Sequence, residues 1–204
     1  VFMASWLAPR MGSFVAAHPE VELRFTASLR MLNFERDEID LAVRFGPGDD
    51  EGYFSEEVFV DWVTPMVAPE LADQLKVPAD VLALPMIGQD SGGKLAEYES
   101  WDLWCEVFGL ENAARGPVFT TPDAALTYAV NGGGVVLARI SLAQHLVQSG
   151  QLVMPLPQSL RRKLRYRLVC PFGVEKQQNV QFFRDWIREE MKGLEAWGEG
   201  REFV

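Results

Sequence analysis

Two adjoining stretches decide the reading of the chain: Ile39-Asp40-Leu41-Ala42-Val43-Arg44-Phe45, and the loop Gly46-Pro47-Gly48-Asp49-Asp50-Glu51-Gly52 that follows. The first is nearly continuous in apolar residues, the pattern of a strand buried on both faces in a parallel sheet. The second is dense in turn formers, so the strand must stop there, and its acidic residues are read as solvated. Upstream, Val21-Glu22-Leu23-Arg24-Phe25 alternates with period two and predicts another strand. A short helix is expected between them, around Leu32–Arg36. Before both, Trp6–Ala17 carries Leu7, Met11, Phe14 and Val15 on one helical face. Pro9 is tolerable in the first turn of that helix, and His18-Pro19 ends it.

Downstream, Phe54–Val60 and Trp62–Ala68 read as extended, and a helix can start at Pro69 and run through Leu75. Trp101–Phe108 predicts a helix, Gly116–Thr120 a strand, and Pro122–Asn131 a helix with Asp123 near its positive end. Asn131-Gly132-Gly133-Gly134 closes that helix, and Val135–Ala138 and Tyr166–Pro171 are further strands. Gln178–Trp197 is a long amphipathic helix, with Phe182, Phe183, Trp186, Ile187, Met191 and Leu194 at helical spacing. Such alternation predicts an α/β fold with right-handed crossovers and a mostly parallel sheet. Two sets of units divide near residue 63, and the final helix is expected to return to the first set. The expectation is two lobes, residues 1–63 with 172–204 and residues 64–171. Two crossing segments join them, and the cleft between them is the default ligand site.

Composition narrows the function. The 204 residues are 48% hydrophobic, enough for a sizeable core, and no apolar run approaches the roughly 20 residues needed to span a bilayer. No signal-peptide pattern stands at the start, and the two cysteines, Cys105 and Cys170, make no disulfide framework, so a cytoplasmic location is expected. With 29 acidic against 19 basic residues the net charge is −10, which should repel nucleic acid. The densest basic run, Arg161-Arg162-Lys163 with Arg165, is read as a solvated turn before a strand.

Catalytic and metal patterns are missing. There is no G-x-S-x-G elbow, and only His18 and His145 are available to a nucleophilic triad. His18, between a helix end and a proline, is read as capping or solvated, and His145 as structural. No C-x-x-C or H-x-x-x-H spacing suggests a metal. The glycine run lacks the G-K-[ST] ending and follows a helix, so it serves a helix end rather than a phosphate. Glu56-Glu57 and Glu189-Glu190 are sequence neighbours pointing apart, poor candidates for an acid–base pair. Neither an enzyme nor a cofactor is expected.

Several blocks together carry a resemblance. They are Phe2-Met3-Ala4-Ser5-Trp6-Leu7-Ala8-Pro9-Arg10-Met11 with Phe14 and His18-Pro19; Ile39 through Gly48; Gly116-Pro117-Val118-Phe119; Gly132 through Arg139; Gly150 through Pro155; Tyr166-Arg167-Leu168-Val169; and Phe182 through Ile187. In this order they resemble the effector-binding domain of LysR-type bacterial transcription regulators, in the branch of the glycine-cleavage and β-lactamase regulators. The resemblance implies two Rossmann-like lobes of the periplasmic-binding-protein type and a small-molecule effector in the cleft. It also implies promoter DNA bound only through an N-terminal winged helix-turn-helix absent from this chain. The family's first strand would end about where the chain begins, so the parent is expected to extend upstream.

Matched position by position, the resemblance assigns effector contact to Val1, Phe2, Ser28, Phe45, Thr120, Thr121 and Tyr166. Val1 stands where that branch usually has Ser or Thr, which removes one donor. The hydroxyls would orient oxygen atoms of a small, polar, anionic molecule, or else cap helix ends and satisfy local backbone. The family's antiparallel pairing implies a homodimer or homotetramer in which Leu7, Met11 and Phe14 meet a partner's Leu126 and Val130. Leu126, Tyr128 and Val130 spread around their helix, which fits either a partner or burial on all sides. A periplasmic-type solute-binding protein and a small enzyme on this fold are the competing readings; the missing export signal and the missing catalytic constellations oppose them.

Overall fold

The computed structural model describes residues 1–28, 33–48, 50–90, 100–111 and 115–204. Helical backbone begins at Met3, three residues before the expected start, so Pro9 lies inside it. The backbone answers the missing proline N–H by changing pitch, from a wide turn over Met3–Leu7 to a tight one over Ala8–Arg10, before α1 (Met11–Ala17). The stretch Val21–Phe25 forms no strand. Its alternation survives as burial, with Val21 and Leu23 half-buried and Glu22 and Arg24 exposed, but no ladder partner lies beside it among the described residues. Phe34–Glu38 is a turn rather than a helix, and Leu32 lies outside the described residues.

The next strands are β1 (Ala42–Gly46), β2 (Phe54–Val60) and β3 (Val63–Met66). Tight helical turns follow at Pro69–Gln74 and Pro78–Ala83, then β4 (Met86–Gln89), α2 (Trp101–Phe108), β5 (Arg115–Phe119), α3 (Pro122–Val130), β6 (Val135–Arg139) and α4 (Ile140–Gln148). The chain ends with β7 (Gln158–Ser159), β8 (Arg165–Cys170), α5 (Gln178–Ala196) and β9 (Glu202–Phe203).

One sheet has the order β1-β8-β2 and is antiparallel throughout, which corrects the parallel reading of Ile39–Phe45. The reason is topological: β8 arrives from the other sheet and inserts between β1 and β2, running against both. The second sheet, β3-β6-β4-β5, keeps parallel pairs at β6/β4 and β4/β5 and an antiparallel pair at β3/β6. The boundary drawn at residue 171 therefore shifts: β8 lies in the first sheet, so the second crossing comes before Arg165. The final helix α5 packs on β2, with Phe183, Ile187, Met191 and Leu194 in the core. One apolar cluster runs through both sheets, joining Phe59, Tyr166 and Leu168 of the first to Met66, Ile87 and Val136 of the second.

The two crossings lie side by side. Val63 and Leu160 exchange backbone hydrogen bonds at 3.0 and 2.9 Å, and Asp61 N–H donates to Leu164. Arg201 fastens them, donating to Thr64 Oγ1 on the first crossing (2.6 Å) and to the carbonyls of Leu156 (2.6 Å) and Gln158 (3.2 Å) and to Ser159 Oγ (3.0 Å) on the second. Burial pulls its pKa down to about 10.

The glycine run ends α3 as expected. Gly132 N–H donates to Ala129 and Gly133 N–H to Tyr128, the paired bonds that close a helix through a left-handed residue, here Gly132 at φ +77°. A Cβ on Gly134 would stand 2.1 Å from the Pro85 carbonyl, so only glycine lets β6 approach β4 there.

The loop acids are not all solvated. Asp50 is 3% exposed in its side chain and bridges the facing pair Arg44 and Arg167, accepting from them at 3.0 and 2.6 Å and from Ser55 Oγ at 2.8 Å. Burial opposes its ionisation, but the hydrogen bonds from Arg167, Ser55 and Arg44 outweigh it and hold the carboxyl below its ordinary range. A depressed carboxylate pKa stabilises the fold above the unfolded value, and that contribution disappears as pH falls toward the folded one. Asp50→Asn should cost about 2–4 kcal/mol near neutrality. The gap from wild type should narrow below about pH 4. Urea denaturation across that range checks it; a gap independent of pH would show that the ion pair is not the source.

Candidate functional site

Three of the seven assigned positions come together where the first crossing meets the second sheet. Tyr166, in the middle strand β8, has the ring of Phe2 stacked on it at 4.3 Å and that of Phe45, from β1, tilted against it at 4.6 Å. Arg139, at the end of β6, lies over Phe45 at 4.3 Å, a cation–π contact that joins the two sheets. Tyr166 is only 2% exposed, closed over by these rings.

Its hydroxyl ends a buried polar chain. Tyr166 Oη is 3.0 Å from Ser141 Oγ, and Ser141 donates to Asp61 Oδ2 at 2.5 Å. The other oxygen of Asp61 accepts the Trp62 N–H at 2.9 Å. Asp61 is 2% exposed and Ser141 is fully buried, in the first turn of α4, where a carboxylate is favoured by the helix dipole. Neither residue was singled out from the sequence. The signal for Asp61 was there: one carboxylate inside the apolar run Val58-Phe59-Val60-Asp61-Trp62-Val63. A charge so placed must be paired, and in this fold it stands where the chain crosses from β2 to β3.

The other four positions are exposed. Val1 is exposed, and its carbonyl accepts from the N–H groups of Ala4 and Ser5. Thr121, exposed at the N-terminus of α3, donates to Asp123, and that bond, helped by backbone N–H groups and opposed by burial, keeps the Asp123 carboxyl below its ordinary value. The Thr121 hydroxyl is thus engaged by a neighbouring side chain, and it makes no capping bond to the backbone at the start of α3. Ser28 and Thr120 are exposed. A cavity of about 500 Å³ lies elsewhere, between β2, Arg161 and the chain end at Gly198, Glu199 and Phe203.

Of the interface positions, Leu7, Phe14 and Leu126 are buried in the protomer's own core, while Met11 and Val130 stay partly exposed beside the exposed Val15 and Tyr128. In the basic run, Arg161 covers the Phe203 ring at 3.9 Å and Arg165 pairs with Glu57 at 2.5 Å. Glu56 points the other way, to Arg184 and Arg188. His18 stacks on Phe182 at 4.1 Å, and desolvation lowers the pKa of His145. Among the described residues no cluster of three metal-ligating side chains occurs, and no helix is long and apolar enough to cross a membrane.

Residues 1–192 match the family model described as the LysR substrate binding domain. The chain belongs to this family. The transcriptional regulator PerR of Escherichia coli is 32% identical to it over 193 residues, 93% of this chain and 63% of that protein. The glycine cleavage system transcriptional activator of Escherichia coli is 29% identical over 191 residues, 91% of this chain and 61% of its own length. Among solved structures, the effector domain of the regulator AmpR of Pseudomonas aeruginosa superposes with a TM-score of 0.75 at 29% identity, covering 97% of this chain and 94% of that one. The chain thus spans less than two thirds of the curated relatives it matches. These relatives are transcriptional regulators, neither enzymes nor solute-binding proteins.

In this LysR-family domain the buried chain of three side chains should matter unequally to stability. Asp61→Ala leaves the Trp62 N–H and the Ser141 hydroxyl without their acceptor and should cost about 3 kcal/mol. Tyr166→Phe removes one hydroxyl and should cost about 1 kcal/mol. Chemical denaturation of both variants checks the order; equal losses would refute the larger share assigned to Asp61.

Proposed function

We propose that the chain is the effector-binding domain of a LysR-type DNA-binding transcription regulator, acting in the cytoplasm. It holds a small polar molecule between its sheets and passes the resulting change of lobe geometry to promoter binding by the rest of the parent protein. The observation that carries this reading is the family match over residues 1–192, together with a buried hydrogen-bonded junction where the chain crosses between sheets. An effector acts there only by its differential affinity for two lobe arrangements.

The proposed contacts are Phe2, Phe45 and Tyr166 at the junction, with the exposed Val1, Thr120, Thr121 and Ser28 as further contacts. Because Tyr166 is closed over, binding at the junction requires Phe2 or Phe45 to move. Exposed hydroxyls at Ser28, Thr120 and Thr121 are accessible without such movement. The assembly we propose is a homodimer or homotetramer, pairing α1 with a partner's α3 through the exposed surface of Met11, Val15, Tyr128 and Val130. Leu7, Phe14 and Leu126 support that surface from beneath.

Two measurements test the reading. With a charge of −10, the isolated chain should not bind duplex DNA at micromolar concentration, whereas the parent with its N-terminal domain should. Salt-sensitive binding by the chain alone would overturn the division of labour. Once a thermal-shift screen has supplied a binding molecule, Thr121→Ala and Ser28→Ala should each weaken it by about three- to tenfold. Unchanged affinity in both variants would remove the two residues from the site.

A further inference from the structure

The segment that follows α5 is tied to the two crossings in different ways. The second crossing carries it as an added strand: β9 pairs in parallel with β7, and Glu202 N–H and Val204 N–H donate to the carbonyls of Pro157 and Ser159. Gln158 adds a side-chain bond to Glu202 at 2.6 Å. The first crossing meets the same segment through side chains. Arg201 donates to Thr64 Oγ1 at 2.6 Å, and Phe203 stands edge-on to Trp62 at 5.7 Å.

Thr64 is fully buried and passes the contact on, its hydroxyl donating to the Gln158 carbonyl at 2.9 Å. One terminal nitrogen of Arg201 therefore spans both crossings, reaching Thr64 on the first and the Leu156 carbonyl on the second at 2.6 Å each. Its Nε holds Ser159 at 3.0 Å. The other side of the segment is open. A cavity of about 500 Å³ is lined by Gly198, Glu199 and Phe203 on one side and by Glu57–Val60 of β2, an edge strand, on the other. A segment bonded on one side with open space on the other leaves its place at less cost than one packed on both.

We propose that Gly198–Val204 is a latch across the crossings, closed by the contact between Arg201 and Thr64. With the latch closed, the two crossings bend as one unit. With that contact broken, the first crossing bends by itself and the lobes move over a wider range. Arg201 and Thr64 are thus positioning residues, acting on the cleft through the crossings. The inference rests on the reading of the chain as a two-lobed effector domain, and it places a control of lobe motion away from the proposed effector contacts.

The test needs no effector, so its failure is distinguishable from failure of the proposed function. Spin labels at Gln74→Cys, beside the second sheet, and Gln181→Cys, in α5 on the first, report the distance between lobes. Both positions are exposed, while Cys105 and Cys170 are buried. Arg201→Ala should broaden the distribution of that distance. The amide hydrogens of Val63 and Leu160, which bond across the crossings, should exchange about tenfold faster relative to those inside β6 and β8. Thr64→Val keeps the shape without the acceptor and should give the same pattern in smaller measure, which keeps the test open where Arg201→Ala does not fold. Guanidinium chloride at about 10 mM, far below the molar range that denatures, should narrow the distribution in Arg201→Ala, and sodium chloride should not. An unchanged distribution in both variants, or exchange accelerated equally at the crossings and inside the sheets, would overturn the latch. Broadening that guanidinium does not reverse would overturn the assignment to the hydrogen bonds of Arg201.

Discussion

The two chain crossings between the sheets are held side by side, and a single guanidinium fixes them. Arg201 comes from the tail beyond α5 and binds Thr64 on one crossing and Leu156, Gln158 and Ser159 on the other. Four neutral acceptors take the place of a carboxylate partner, which is why burial lowers the pKa of this arginine without neutralising it at physiological pH. A lysine could not span them, since one ammonium lacks the planar fork that reaches separate acceptors. The tail is tied down on both sides of that contact. Glu202 N–H donates to Pro157, Val204 N–H to Ser159, and the Phe203 ring meets the edge of Trp62. Relative motion of the sheets must bend the crossings within this restraint.

Asp61 stands one residue from Trp62, inside the same junction, and the two features work together. The restraint by Arg201 keeps the crossings in register, and the carboxylate of Asp61 uses that register to bind α4 of one sheet and, through Ser141, β8 of the other. Charge burial makes the arrangement specific: replacing either partner leaves a polar group with nothing to bind, whereas small shifts of apolar neighbours cost little. Aromatic packing of Phe2 and Phe45 over Tyr166 closes the junction from outside.

Local elements were legible because their causes are local. The helix from Gln178 and the closure of α3 by Gly132 follow from apolar spacing and from backbone that only glycine adopts cheaply. Sheet order was not legible. Ile39–Phe45 reads the same whether its neighbour is parallel or antiparallel, and only the return of Arg165–Cys170 between β1 and β2 decides it. Val21–Phe25 has the alternation of a strand, but a ladder needs a partner, and none lies beside it among the described residues. At the site, the resemblance placed Tyr166, Phe2 and Phe45, which do meet, while Asp61 and Ser141 were invisible to it. Their pairing joins positions 80 residues apart, which no local pattern records.

The distribution of charge bears on how such a domain can act on DNA. Much of its positive charge is already engaged: Arg44 and Arg167 share Asp50, Arg184 and Arg188 share Glu56, and Arg165 holds Glu57. These pairs lie in or against the first sheet and leave the chain's acidic excess to dominate its outer surface, with ten more negative than positive charges overall. Phosphate, on the proposed reading, is repelled by this domain rather than bound. On the proposed reading, influence on a promoter must therefore pass mechanically, through lobe geometry and the surfaces that pair with a partner. The junction is suited to that. Phe2 lies at the start of the helical segment that leads into α1, so displacing its ring from Tyr166 moves the base of the helix proposed to carry the interface.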